Sequence, residues 1–199
     1  MKNIVTRSSI IVLLLIAASP IYAGEGKANI ALVSNYIFRG ASVSNNRVVL
    51  QGGYEYDYGN SIVAGTWFST LPSDTEYDIY ARYSDDVGNF GYSAGFIYYG
   101  YTGSTVTPAE FNLALSYYGL SVVASSGKGV NYNEAAFETI VSDVTIRLHY
   151  GFDGSDENHG LRLGKQMGGM DVGLIYVSRM DSVSTLTTDV YALTIGKSF

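Results

Sequence analysis

The 199-residue chain has no cysteine, so no disulfide can staple it in any compartment. Apolar runs are scarce. Outside residues 10–18 nothing approaches the roughly 18 consecutive apolar residues of a membrane-crossing helix, so the rest of the chain can enter a bilayer only as strands. Basic residues are outnumbered, 12 against 18 acidic, which argues against a nucleic-acid surface. With two histidines, no Gly-x-Ser-x-Gly, no phosphate-cradling loop and no thiol, there is little from which to build a catalytic or metal centre. The expectation is a non-enzymatic chain without cofactors.

What is present begins with Met1-Lys2-Asn3-Ile4-Val5-Thr6-Arg7 and an uncharged run from Ile10 to Ala18 that ends at Ser19-Pro20. Basic start, short apolar run and small residues define a secretory signal. Cleavage after Ala23 would make residues 1–23 the signal peptide and 24–199 a single mature domain.

That domain is rich in the residues of sheets and turns, with 18 Tyr, 23 Gly and 3 Pro. Apolar and polar residues alternate at period 2, the mark of a strand with two unlike faces. Val48, Leu50, Gly52, Tyr54, Tyr56 and Tyr58 share one face, and Arg47, Gln51, Gly53, Glu55 and Asp57 the other. Residues 110–117 and 144–153 repeat the pattern. It continues through 12 segments: 29–39, 47–58, 61–70, 76–84, 90–101, 109–118, 120–126, 133–141, 144–153, 160–167, 170–179 and 188–199. Short turn-forming links such as Gly59-Asn60, Ser142-Asp143 and Gly168-Gly169 alternate with longer polar ones at 40–46, 71–75, 102–108, 127–132, 154–159 and 180–187.

An even strand number and alternating link length predict an all-β, up-and-down antiparallel transmembrane barrel with both termini in the periplasm of a Gram-negative cell. Charge placement agrees. A lipid-facing Arg or Lys at the midplane costs about 2–4 kcal/mol, and nearly every strand charge takes the polar parity. Lys165, Asp189 and Lys197 are exceptions near strand ends, where a side chain can snorkel. Apolar-face aromatics gather at the ends as two girdles, Tyr56, Tyr58, Tyr83, Tyr92, Tyr117 and Phe199 in one, Phe38, Tyr77, Tyr98, Phe111, Tyr150 and Phe152 in the other. A soluble sandwich or lipocalin-like barrel with an apolar interior would give the same alternation.

The strand Tyr191 to Phe199 ends on an aromatic at the carboxylate and resembles the C-terminal signal read by the barrel-assembly machinery. Ser34-Asn35-Tyr36-Ile37-Phe38-Arg39-Gly40, Leu50-Gln51-Gly52-Gly53, Tyr98-Tyr99-Gly100-Tyr101 and Gly196-Lys197-Ser198-Phe199 resemble the TorF-like outer-membrane porin family over almost the whole mature length. Ser69-Thr70 and Thr102 depart from its pattern. The resemblance implies an outer-membrane channel and brings no substrate or site residues with it.

On the polar parity, Arg39, Arg47, Glu55, Asp57, Asp78, Arg82, Glu110, Glu138, Arg147, His149, Arg162 and Arg179 are the candidate pore lining, with Gly53, Ala114, Gly151, Gly173 and Gly196 leaving space between them. A narrow, weakly selective passage for small hydrophilic or charged solutes is expected, with outer-membrane lipids around it. The alternatives are an interior plugged by cross-lumen pairs, in a barrel serving structure, adhesion or partner binding, and a lipolytic barrel using His149. His159, in the acidic stretch Asp156-Glu157-Asn158-His159, is expected in an exposed loop.

Overall fold

The computed structural model describes residues 24–103 and 108–199; the expected signal peptide lies outside them. Twelve strands close into one antiparallel barrel. They are β1 (Glu25–Val33), β4 (Val49–Asp57), β5 (Ile62–Thr70), β6 (Thr75–Val87), β7 (Phe90–Tyr101), β8 (Ala109–Tyr117), β9 (Leu120–Gly127), β10 (Val130–Val141), β11 (Val144–Asp153), β12 (Asp156–Met167), β13 (Met170–Met180) and β14 (Thr187–Ser198). Each pairs with the next, and β1 closes the cylinder against both β4 and β14. Two further strands, β2 (Ile37–Phe38) and β3 (Ala41–Ser42), pair only with each other.

At the end of the barrel carrying both termini, the links are tight because their residues accept left-handed backbone. Tyr118-Gly119, Ser142-Asp143 and Gly168-Gly169 hold positive φ at both central positions, the geometry whose twist matches a two-residue hairpin. At the opposite end, two links expected to be long are equally tight. β9 runs to Gly127 and β10 starts at Val130, and β11 ends at Asp153 with β12 starting at Asp156. The polar residues read as loop there are ladder residues, with Tyr132 opposite Asp153 and Asp153 opposite Asp156. His159 therefore stands in β12, opposite Tyr150, and not in a loop.

The distribution of apolarity is inverted relative to a water-soluble barrel. Leu113, Leu115, Leu148, Leu174, Leu193 and Ile195 are exposed on the outer face, whereas Ser69, Glu76, Asp78, Glu110 and Asn158 are buried inside. A large exposed apolar band is a liability in water and a requirement in hydrocarbon, which settles the choice between a soluble and a membrane barrel. Ring pairs edge this band, Tyr56 against Tyr58 and Tyr83 against Tyr92 at one end, Tyr150 against Phe152 at the other.

Between the walls, small residues make room for neighbours. A Cβ on Gly65 would stand 2.5 Å from the Tyr80 ring and 2.8 Å from the Tyr54 carbonyl oxygen. Gly65→Val should therefore expel Tyr80 from its place beside Glu55 and destabilise the barrel by about 1–3 kcal/mol, the usual cost of overpacking. Urea unfolding in lipid vesicles, followed by Trp67 fluorescence, would measure the loss.

Candidate functional site

The expected strand over 29–39 stops at Val33. Residues 34–48 then leave the wall and fold inward across the end of the barrel opposite the termini. Ser34 still clings to β14, exchanging bonds with Leu193 at 2.9 and 2.8 Å, and the Asn35 amide donates to the Tyr191 carbonyl at 3.3 Å. The β2–β3 hairpin turns on Arg39 and Gly40, both at positive φ. Gly40 is required, since a Cβ there would meet the Asn158 side chain at 2.7 Å.

The segment is braced from within and from the walls. Fully buried Ser44 accepts from the Tyr36 N–H at 2.9 Å and donates to the Arg47 carbonyl at 2.8 Å. Tyr36 tilts against Trp67 of β5, and Phe38 meets Tyr99 of β7 edge-on. At the tip, Arg39 grips Glu110 of β8 through its two terminal guanidinium nitrogens, at 3.1 and 2.5 Å. Their side chains are 10% and 4% exposed. The guanidinium also lies over the Phe38 and Tyr132 rings, and Arg179 of β13 donates to the Arg39 carbonyl at 3.0 Å. Phe38 thus belongs to the interior and not to the outer aromatic girdle, because its ring is taken up by Arg39 and Tyr99.

Among the described residues, three more ion pairs line the interior wall, each between adjacent strands or strands one apart. Arg82 is bidentate to Glu55, which also accepts from Tyr80 at 3.1 Å. Arg147 meets Glu134, and Arg179 meets Asp156, each at 2.7 Å. The structure thus joins Arg39 to Glu110 and Glu55 to Arg82 among the residues singled out in sequence. It leaves others apart. Arg47 is exposed in the segment ahead of β4, and Asp57 caps the adjoining turn through the Gly59 N–H at 2.8 Å. Glu138 is opposite Arg147 in register but exposed, and Arg162, also opposite Arg147, has no carboxylate partner among the described residues. His149 is half-buried on the interior face and stands over Gly160. His159 is on the outer face of the adjacent strand, so the two imidazoles cannot share a ligand. Among the described residues no group of three His, Asp or Glu is arranged to hold a metal ion.

Sequence reasoning passed over the tyrosines that complete this network. Tyr99 donates to Glu110 at 3.3 Å, Tyr101 to Glu76 at 3.0 Å and Tyr132 to Glu134 at 2.8 Å. A signal was available, since these rings interrupt the polar parity of β7 and β10. Glu76 and Asp78, adjacent on the interior face of β6, are 3% and 4% exposed, and Glu76 Oε2 and Asp78 Oδ1 accept no hydrogen bond from the described residues. On the side of the inward segment nearer the termini, the interior opens into cavities of about 310 Å³, beside Glu55, Arg82 and Asn112, and about 250 Å³, beside Ser84, Asp86 and Ser116.

A closed barrel with an apolar exterior, a charged interior and a chain segment narrowing one end defines a transmembrane β-barrel of the outer-membrane porin fold. Residues 17–192 match the family described as bacterial protein of unknown function (Gcw_chp), and the chain belongs to that family. Among solved structures, the KdgM porin is similar at a TM-score of 0.63 and 12% identity, over 87% of this chain and 99% of that one. The KdgM porin in complex with disordered oligogalacturonate is similar at a TM-score of 0.58 and 12% identity, over 89% and 99%. At these identities the likeness establishes the fold. A search of the curated proteins gives no match.

Proposed function

We propose that this protein is an outer-membrane porin that passes small hydrophilic or charged solutes through a passage narrowed by residues 34–48. The observation that carries the reading is the combination of a polar, cavity-containing interior with an inward segment held by Arg39 and Glu110. Work of this kind is passive, so the interior needs charged and hydrogen-bonding walls and no reacting group. The candidate lining is Glu55, Arg82, Glu138, Arg147, His149 and Arg162 along the walls, with Arg39, Asp78, Glu110 and Arg179 at the narrowing.

The same reading includes the finer expectations. Residues 1–23 act as an export signal, the end carrying both termini faces the periplasm, and Phe199 is offered to the barrel-assembly machinery. The basic start and short apolar run of the first twenty residues support the first, the tight turns at the terminus-bearing end the second, and the alternating strand that closes on Phe199 the third.

The protein purified from outer membranes should migrate differently on a gel before and after boiling, and should produce discrete conductance steps in a planar bilayer. A heat-sensitive barrel that gives no steps would favour the second reading, a barrel that is structural or binds partners. That reading also has a specific observation behind it, the closed hydrogen-bond network with which the inward segment fills its end of the interior.

A further inference from the structure

Resting on the porin reading, we infer that the passage prefers cations and that Glu76 and Asp78 are the groups that set this preference. The arginines most able to attract an anion are already engaged. Arg39 spends two nitrogens on Glu110, Arg82 spends two on Glu55, and Arg147 and Arg179 each hold a carboxylate at 2.7 Å. A guanidinium bound in this way presents a nearly neutral pair to a passing solute, since the fields of the two charges cancel beyond a few ångströms. Among the described residues the arginines without a carboxylate are Arg162, which lies below the narrowing opposite Arg147, and Arg47, which is exposed near the end of the inward segment.

The carboxylates are not balanced in return. Glu76 and Asp78 lie side by side on β6, with Ser69 and Trp67 opposite them on one neighbouring strand and Tyr101 and Tyr99 on the other. Tyr36 of the inward segment stands within electrostatic reach of both. None of these neighbours is a cation. Each carboxylate keeps an oxygen to which none of the described residues donates, although the residue is more than nine-tenths buried. Such an oxygen is satisfied by a proton or by a positive partner, and where the pair is ionised a small cation entering the narrowing supplies the latter. Because the pair sits just behind the surface where residues 34–48 restrict the passage, a solute passes close to it, and its field acts where the dielectric is low.

The test is the reversal potential of the purified protein in a planar bilayer under a KCl gradient. Potassium should permeate several-fold more readily than chloride. Glu76→Gln with Asp78→Asn should bring the ratio close to one. Heat-modified migration of each variant on a gel confirms that the barrel has folded, and Asp78→Asn alone serves if the double variant has not. Chloride preference in the wild-type protein, or an unchanged ratio in the folded Asp78→Asn variant, would overturn the inference while leaving the channel intact. A folded wild-type barrel without conductance would overturn the porin reading itself, and the selectivity with it.

Discussion

Replacing residues 34–48 by a two-residue Asn-Gly turn should raise single-channel conductance several-fold while the barrel still folds. Val33 of β1 and Val49 of β4 are already opposite each other in register, so such a turn joins their ends in the geometry a short hairpin adopts. The nine register pairs between these strands remain, and the closing contacts of β1 with β14 remain. What disappears is the bracing of Tyr36 on Trp67, the Arg39–Glu110 grip and the Arg179 bond to the Arg39 carbonyl. The open interior should then conduct as a wide polar tube. Unchanged conductance in a folded variant would mean that this segment is not the narrowing, and the site would have to be sought elsewhere along the wall.

The second large effect concerns the grip itself. Arg39→Ala removes one member of a buried pair and strands Glu110, which is 4% exposed between Tyr99 and the inward segment. Losing one partner of a buried pair typically costs about 3–5 kcal/mol, most of it the penalty of the uncompensated charge. Two outlets exist for that cost. Either the barrel loses stability in urea by about this amount, or the segment undocks, water reaches Glu110, and the cost is partly relieved at the expense of the narrowing. In the second case conductance rises toward that of the excised variant and becomes noisier. Arg39→Met combined with Glu110→Leu should be milder than either single change, because no charge is left buried, and the cycle of singles and double measures the coupling directly. Equal losses in the singles and an additive double would show the two side chains to be independent.

The barrel wall was legible in the sequence because a strand separating water from lipid must alternate, and Glu55, Arg82, Glu110 and Arg147 each reveal the interior face by their parity. Legibility failed where the chain leaves the hydrocarbon. Asn131, Glu157 and His159 decorate rungs beyond the apolar band, where both faces tolerate polar residues and the alternation dissolves, although the backbone ladder continues unbroken. It failed in the opposite sense at Tyr36-Ile37-Phe38-Arg39. The alternation there is genuine, but aromatic rings and a carboxylate inside the lumen satisfy it in place of lipid and water. No local pattern distinguishes these environments, since the deciding partners, Trp67, Tyr99 and Glu110, come from strands far along the chain. The four ion pairs were hidden because parity does not say which carboxylate an interior arginine meets: Arg39–Glu110 reaches from the inward segment to a distant strand, whereas Arg82–Glu55, Arg147–Glu134 and Arg179–Asp156 join strands side by side or one strand apart.

The seam between β1 and β14 is shorter than its neighbours, five register pairs against ten between β13 and β14. Directly beyond it the chain dives inward, with Asn35 bonded to Tyr191, 156 residues away, and Arg39 to Glu110, 71 residues away. Neither partner is within reach until the sheet has curled and its first and last strands have met. Contacts so distant in sequence form late, after the entropy of closing the long intervening chain has been overcome. Sealing the wall and setting the bore are therefore a single step of assembly, and a barrel caught before that step has neither a closed wall nor a narrowed passage.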